Sequence, residues 1–238
     1  MILLDPLARP VIAHRGASGS FPENTLLAFR EALAAGADAF ELDVHVTADG
    51  VPVVIHDDTV DRTTDGTGAV AQLPHDALGD LDAGRGERIP TLQQVLETFD
   101  GTPLIVEMKT VQAANAVVRV LRDAGAGDRV LVGSFLYRAV ARARRARLAT
   151  SASRPETSVF WAASRMRLSV PMPIRAFTVP QRSGRLRVVD ERFVRAAQRR
   201  GLCVHVWTVD DRAQADVLWT LGVAGIITNF PDRLVRLP

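Results

Sequence analysis

Residues 39–56 read AFELDVHVTADGVPVVIH. Two apolar, β-branched runs, Ala39-Val46 and Val51-His56, flank Thr47-Ala48-Asp49-Gly50. Asp-Gly between apolar runs is the strongest short-range hairpin signal. No helix fits in so short a gap, so the second run is expected to turn back antiparallel along the first. The other apolar runs are Val11-His14, Leu104-Met108, Val130-Ser134, Leu148-Ser151, Ile174-Val179, Cys203-Thr208 and Gly225-Thr228. Between them lie alanine- and arginine-rich stretches of helical period: Glu23-Ala35, Leu92-Phe99, Val111-Ala124, Tyr137-Ala146, Asp190-Arg200 and Asp210-Leu221. Strand alternating with helix implies βαβ units and a parallel sheet. Nine runs are one too many for an eight-stranded barrel, and the hairpin arm removes one. The expected fold is α/β, a (β/α)8 TIM barrel with a β-hairpin extension after strand 2, in a single domain over residues 1–238.

Residues 57–90 have few regular apolar runs and contain Thr63-Thr64-Asp65-Gly66-Thr67-Gly68, which is turn chemistry. They read as an insertion over the C-terminal mouth with no core of its own. In residues 151–173, Phe160, Trp161, Met166 and Leu168 are spaced for a short amphipathic helix.

The apolar fraction of 47% suits a large core, and a net charge of +2 demands no nucleic-acid partner. The one cysteine, Cys203, excludes an internal disulfide. The first ten residues carry no basic region followed by a long apolar stretch, and no window approaches ~18 uninterrupted apolar residues. A cytoplasmic protein without membrane insertion is expected. The 29 lysine and arginine residues include a single lysine, Lys109, which points to a specific use for its compact ammonium.

In such barrels the C-terminal strand ends converge on the site. Here the first strand ends in His14-Arg15, the second carries Glu41 and Asp43, and the third carries Glu107 and Lys109. Residues two apart on a strand share a face, so each of those pairs points one way. With Asp49-Gly50 as a two-residue loop, Ala48 faces Val51 and Asp43 faces His56, which delivers a second histidine beside the carboxylates. Three carboxylates on adjacent strands cannot all stay ionised and unpaired in a closed mouth. All-oxygen ligation favours one hard divalent ion, Mg²⁺ or Ca²⁺, with Mn²⁺ possible. Two histidines can move protons near neutral pH, and an arginine and a lysine can hold phosphate oxygens. Together these are the parts needed to cleave a phosphate ester.

The residues resemble the glycerophosphodiester phosphodiesterase family, within the phospholipase C-like phosphodiesterase barrels. The matching pieces are His14-Arg15-Gly16, Pro22-Glu23-Asn24-Thr25, Glu41-Leu42-Asp43-Val44, Asp49-Gly50 and His56-Asp57. They continue through Arg62-Thr63-Thr64, Gly66-Thr67-Gly68, Pro90-Thr91-Leu92, Glu107-Met108-Lys109, Gly133-Ser134-Phe135, Trp207-Thr208-Val209 and Gly225-Ile226-Ile227-Thr228-Asn229. The resemblance implies metal-dependent hydrolysis of glycerophosphodiesters to sn-glycerol 3-phosphate and an alcohol, a place in lipid and glycerol metabolism. It implies His14 and His56 as acid–base pair, Glu41, Asp43 and Glu107 at the metal, and Arg15 and Lys109 on phosphate. Phe135 and Trp207 would line the glycerol pocket, and Glu23 would lie near the metal and the first histidine. Many relatives carry aspartate where this chain has Asn229, which touches only a supporting hydrogen bond. The attacking oxygen could be water or the substrate's own 2-hydroxyl.

Plainer readings exist for several of these residues. Glu23 could charge the first turn of the following helix. Glu107 and Lys109 could form a structural salt bridge. Asp57 could ligate or, more simply, cap the hairpin exit. Phe135 and Trp207 taken alone could be core. His45 and His205 are read as structural, and the arginines of 138–147 as a solvated helix face. Rival functions are a lysophospholipase D- or sphingomyelinase D-like phosphodiesterase in the same superfamily, and a non-catalytic barrel that binds phosphate ligands or nucleic acid.

Overall fold

The computed structural model describes residues 1–235. Its strands are β1 (Val11–His14), β2 (Ala39–Val46), β3 (Pro52–Val54), β4 (Leu104–Met108), β5 (Val130–Gly133), β6 (Ala149–Thr150), β7 (Ala176–Pro180), β8 (Arg182–Ser183), β9 (Leu186–Arg187), β10 (Cys203–Trp207) and β11 (Gly225–Thr228). Its helices are α1 (Leu26–Ala34), α2 (His75–Gly79), α3 (Leu92–Thr98), α4 (Ala113–Asp123), α5 (Tyr137–Arg145), α6 (Arg154–Met166), α7 (Glu191–Gln198), α8 (Arg212–Leu221) and α9 (Pro231–Leu234). Helix starts follow local chemistry: Thr25, Thr91, Asp190 and Asp211 each accept a backbone N–H at an N-cap. The helix expected from Glu23 therefore begins at Leu26, because Thr25 ends the loop.

The parallel strands run in the order β6-β5-β4-β2-β1-β11-β10-β7, with β3 hung antiparallel on β2. A parallel bridge between Ser151 and Ala176 joins β6 to β7 and closes the ring. The result is an eight-stranded barrel wrapped in helices, as the strand count implied. Alternation along each strand sorts its side chains. Ile12, Ala39, Ile105, Leu131, Ala176 and Ile227 fill the barrel interior together with Leu3. Phe40, Leu42, Val44, Val106, Met108 and Val132 pack outward with α1, α3 and α4. There Phe40 meets Phe29 and Phe99 at centroid distances of 5.1 and 5.3 Å.

The floor of the barrel is sealed by the N-terminal turn. The His205 Nε2–H donates to the Leu3 carbonyl over 2.8 Å, which fixes the tautomer of a ring that burial keeps neutral. Gly225 makes room for that ring, since a Cβ there would come within 2.5 Å of His205 Nδ1.

The hairpin differs from expectation in register. Val44 faces Val54, His45 faces Val53 and Val46 faces Pro52. Asp43 therefore lies opposite Ile55, whose N–H donates to its carbonyl at 3.0 Å, and not opposite His56. The cause is a three-residue loop, Ala48-Asp49-Gly50, closed by Thr47 N–H to Val51 O at 3.0 Å, with Gly50 at φ 87°. His56 still reaches the mouth, because the chain leaves the sheet after Val54 and the His45 Nε2–H holds the His56 carbonyl at 3.1 Å. The stretch 57–90 also has a small core where none was expected. Val60, Val70 and Leu78 are fully or nearly fully buried against Val53 and Ile55 of the hairpin. Turn-rich spacing hid this cluster, since its members lie far apart in the chain.

Phe40→Ala should lower stability by about 3–5 kcal/mol through the cavity left between the Phe29 and Phe99 rings, read from urea unfolding. A loss under ~1 kcal/mol would contradict that packing. Burial pushes the His205 imidazole down to about 4 from its ordinary 6.5. Between those values the unfolded chain binds a proton that the folded state refuses, so stability falls as pH drops from 6.5 toward 4. Wild type should lose roughly 3 kcal/mol more than His205→Gln across that window. Parallel pH profiles of the two proteins would refute this.

Candidate active site

The strand registers build the site. His14 lies beside Glu41 on β1 and β2, and Asp43 lies beside Glu107 on β2 and β4. His14, Glu41 and Glu107 each stand two residues beyond an interior apolar residue (Ile12, Ala39, Ile105), so the same face turns from greasy to charged at the C-terminal mouth. His14, Arg15, Glu41, Asp43, His56, Glu107, Lys109, Phe135 and Trp207 all line one cleft of about 60 Å³. Glu23 does not line it; it stands behind Arg15.

Arg15 is held in a left-handed conformation, φ 56°, and Gly16 follows at φ 80°. A Cβ on Gly16 would come within 2.6 Å of the Ala28 backbone, so only glycine fits the turn. That turn folds Arg15 back over β2. Its Nη1 donates to Glu23 Oε1 at 3.0 Å, and its Nε lies 3.0 Å from Asp43 Oδ2 as a charge contact. Asn24 also donates to Asp43 Oδ2, at 3.1 Å.

Glu41, Asp43 and Glu107 present carboxylate oxygens within 4.8 Å of one another. Lys109 Nζ sits between two of them, 2.7 Å from Asp43 Oδ1 and 2.7 Å from Glu107 Oε1. Burial works against the Asp43 anion, but Lys109 and Arg15 outweigh it and hold its carboxyl below the usual range. Burial likewise disfavours the Lys109 cation, and Asp43 and Glu107 outweigh that, keeping it above its ordinary value. Glu41 has no such partner among the described residues. Burial first, then the charges of Asp43 and Glu107, push its carboxyl well upward. Its Oε2 is buried without a hydrogen bond from any described residue, 3.9 Å from His14 Nε2. Glu107 is also raised, by burial above all. An unsatisfied buried carboxylate oxygen beside two others is the donor set a hard dication needs, so these residues fit one.

Both histidines are gripped at Nδ1. The Asn229 amide donates its Nδ2–H to Asp210 Oδ2 at 2.9 Å, so its Oδ1 is left as an acceptor. His14 Nδ1 meets that oxygen at 2.7 Å and must carry the hydrogen, leaving Nε2 free toward Glu41. Burial pulls the His14 imidazole below its usual value despite this bond. His56 Nδ1 is 2.6 Å from Asp57 Oδ1. Arg62 ties Asp57 to Glu23 with bonds of 2.6 Å to Asp57 Oδ2 and 2.7 Å to Glu23 Oε1. That arginine, together with the His56 ring, holds the Asp57 carboxyl well below the usual range. Asp57 is thus neither a member of the carboxylate trio nor a cap; it orients a histidine. Glu23 does not sit in the first turn of α1, and its carboxyl joins Arg15 to Arg62.

Several of these supports were not singled out from sequence: Asn24, Asp210 and Arg62. Each lies in or beside a stretch quoted above, but a supporting amide or arginine looks like any surface residue until its partner is placed. The arginine-rich α5 is only partly solvated. Arg142 donates to the Val111 carbonyl at 2.7 Å, and Arg144 pairs Glu156 at 2.6 Å.

Residues 14–233 match the Glycerophosphoryl diester phosphodiesterase family. The glycerophosphodiester phosphodiesterase of Caldanaerobacter subterraneus subsp. tengcongensis is 32% identical over 243 residues, covering 95% of this chain and 96% of that one. A solved Oleispira antarctica phosphodiesterase, in complex with the product sn-glycerol-3-phosphate, aligns at TM-score 0.80 and 29% identity over 94% of each chain. The glycerophosphodiester phosphodiesterase from Agrobacterium tumefaciens aligns at TM-score 0.76 and 28% identity, covering 94% of this chain and 97% of that one. With a matched region that spans almost the whole barrel, this chain belongs to the glycerophosphoryl diester phosphodiesterase family, a family of phosphoric diester hydrolases.

Proposed function

We propose that this protein hydrolyses glycerophosphodiesters to sn-glycerol 3-phosphate and an alcohol, using a divalent ion and histidine acid–base catalysis, with residues 1–238 acting as one catalytic domain. The observation that carries the reading is the trio of buried Glu41 and Asp43 with half-buried Glu107, where the orphaned Glu41 Oε2 belongs to the cleft that both oriented histidines line. The trio would hold the ion, Mg²⁺ or Ca²⁺, which supplies Lewis-acid stabilisation of the charge that develops on the phosphoryl oxygens. Arg15 binds a phosphate oxygen from its fixed left-handed turn. Lys109, which would be released from neutralising Asp43 and Glu107 if they held the ion, would bind another. Glu23 serves substrate indirectly, by aiming Arg15.

The histidines use Nε2, since Nδ1 is committed on both rings. One takes the proton from the attacking oxygen, and the other returns a proton to the departing alkoxide. Phe135 and Trp207, ring centroids 6.1 Å apart, give the glycerol carbons two aromatic faces at the edge of the cleft.

The direct test is release of glycerol 3-phosphate from glycerophosphodiesters. Chelation should abolish it, and added Mg²⁺ or Ca²⁺ should restore it; release that ignores the chelator would remove the ion from the reading. The ion should also raise the melting temperature of wild type but not of Asp43→Asn, a readout independent of turnover. His14→Ala and His56→Ala should each cut kcat by about 10²–10⁴-fold without loss of fold. Near-normal turnover in either variant would overturn the assignment. Asn229→Ala should lower kcat by a smaller factor, about 10–100-fold, by freeing the His14 ring. An unchanged kcat would mean that the ring needs no such support.

A further inference from the structure

Charge is divided unevenly along this chain. Residues 135–200 hold 16 of the 29 lysines and arginines but only 3 of the 27 acidic residues, while the rest of the chain holds 13 and 24. The overall charge of +2 therefore hides a basic side, built from the end of β5 through α7, and an acidic remainder. The three acids on the basic side are already paired: Glu156 meets Arg144 at 2.6 Å, Asp190 meets Arg165 at 2.7 Å and Glu191 meets Arg195 at 2.6 Å.

Six arginines are left along the edge of the barrel mouth. Arg138 lies at the start of α5, Arg154 opens α6, Arg182, Arg185 and Arg187 stand on the β8–β9 hairpin, and Arg192 lies in the first turn of α7. They follow the C-terminal ends of β5, β6 and β7, the side on which the mouth opens. All six are exposed, and none meets a carboxylate among the described residues.

Apolar side chains stand among them. Phe135, Leu136, Tyr137 and Leu186 are 45%, 41%, 53% and 46% exposed. Leu186 sits between Arg185 and Arg187 on a hairpin that is exposed along its whole length. The hairpin is anchored to α6, where the Trp161 indole N–H donates to the Arg187 carbonyl at 3.1 Å. These pieces form one surface. Phe135, Arg154, Arg182 and Leu186 line a single apolar cavity of about 430 Å³, which shares Phe135, Thr178 and Trp207 with the carboxylate cleft. A purely basic rim suits any polyanion. Leucines add nothing against a sugar–phosphate backbone, whereas at a bilayer they enter the boundary between headgroups and acyl chains and leave the arginines at the phosphates.

We propose that this rim docks the barrel, mouth first, on the surface of an anionic lipid bilayer. Leu136, Tyr137 and Leu186 enter the headgroup layer, and the six arginines meet lipid phosphates. The docking is peripheral: no helix among the described residues is long and apolar enough to cross a membrane. It goes beyond the phosphodiesterase reading above and does not depend on it.

The test is sedimentation of the full chain with vesicles of equimolar phosphatidylglycerol and phosphatidylcholine, against pure phosphatidylcholine vesicles and against duplex DNA at equal phosphate. Wild type should pellet with the anionic vesicles and stay in solution with the neutral ones. Binding should weaken steeply as added salt shortens the reach of the charges. Arg138→Ala combined with Arg185→Ala should weaken it about 25-fold, about fivefold for each arginine. Leu136→Ser combined with Leu186→Ser should weaken it about tenfold or more. Leu186→Trp gives a readout that needs no loss of binding: its emission should shift to the blue on anionic vesicles, beyond any change in wild type, and not on neutral ones. No binding to anionic vesicles, or equal binding to neutral ones, would overturn the inference. Tighter binding to DNA than to anionic vesicles, or leucine variants that bind like wild type, would reduce the rim to a general polyanion surface and overturn it as well. So would self-association without vesicles that the arginine substitutions abolish, since the acidic side of a second copy would then occupy the rim.

Discussion

Three carboxylates share one dry corner of this barrel, and that arrangement governs everything around it. Two like charges 4.8 Å apart repel by roughly 3 kcal/mol at the effective dielectric of a protein site. Against a net folding stability of about 5–15 kcal/mol, three such pairs cannot be left uncompensated. Lys109, Arg15 and Asn24 answer for Asp43 and Glu107. None of the described residues answers for Glu41 Oε2. The corner is held together well enough to fold and left short of one positive partner. That deficit is one a divalent ion would fill, and in the reading proposed above Lys109 would then be free for phosphate.

The barrel supplies the corner through parity. Side chains alternate between interior and helix layer, so a strand that is apolar at its base delivers the same face to the mouth two residues on. The shift from Ile12 to His14, Ala39 to Glu41 and Ile105 to Glu107 is one step of that alternation on three neighbouring strands. The outward series Phe40, Leu42 and Val44 stays apolar throughout and anchors β2 to its helices. Acidic residues so placed do not disturb the core, because the core lies on the other parity and on the layer beneath.

The supports of the two histidines differ in charge. A neutral amide, itself held by Asp210, meets His14, and a carboxylate, itself held by Arg62, meets His56. Each ring is presented through the same atom by unlike neighbours, which suits the opposite acid and base roles proposed for them. The roomier apolar cavity lies on the far side of Phe135 and Trp207, walled partly by α6. The charged cleft and the apolar cavity thus lie side by side, divided by two aromatic rings.

Much of this was legible in the chain itself. The short apolar, β-branched runs alternating with helical-period stretches, and the Asp49-Gly50 turn, determined eight parallel strands with one antiparallel arm, because apolar patterning and turn chemistry are local properties. The strand-end residues His14, Glu41, Asp43, Glu107 and Lys109 were legible for the same reason: charged groups at the tips of apolar runs add nothing to a core, so they mark the end of the strand that faces the mouth. Register was not. A three-residue loop in place of a two-residue one moved Asp43 from His56 to Ile55, and only the path of the chain beyond β3 returned His56 to the mouth. Asn229 was marked as a supporting hydrogen bond, but the chain could not reveal its partners His14 and Asp210, nor the Arg62 clamp, the small core of 57–90 or the apolar cavity against α6. Each depends on contacts between residues distant in sequence, and such contacts exist only once the barrel has closed.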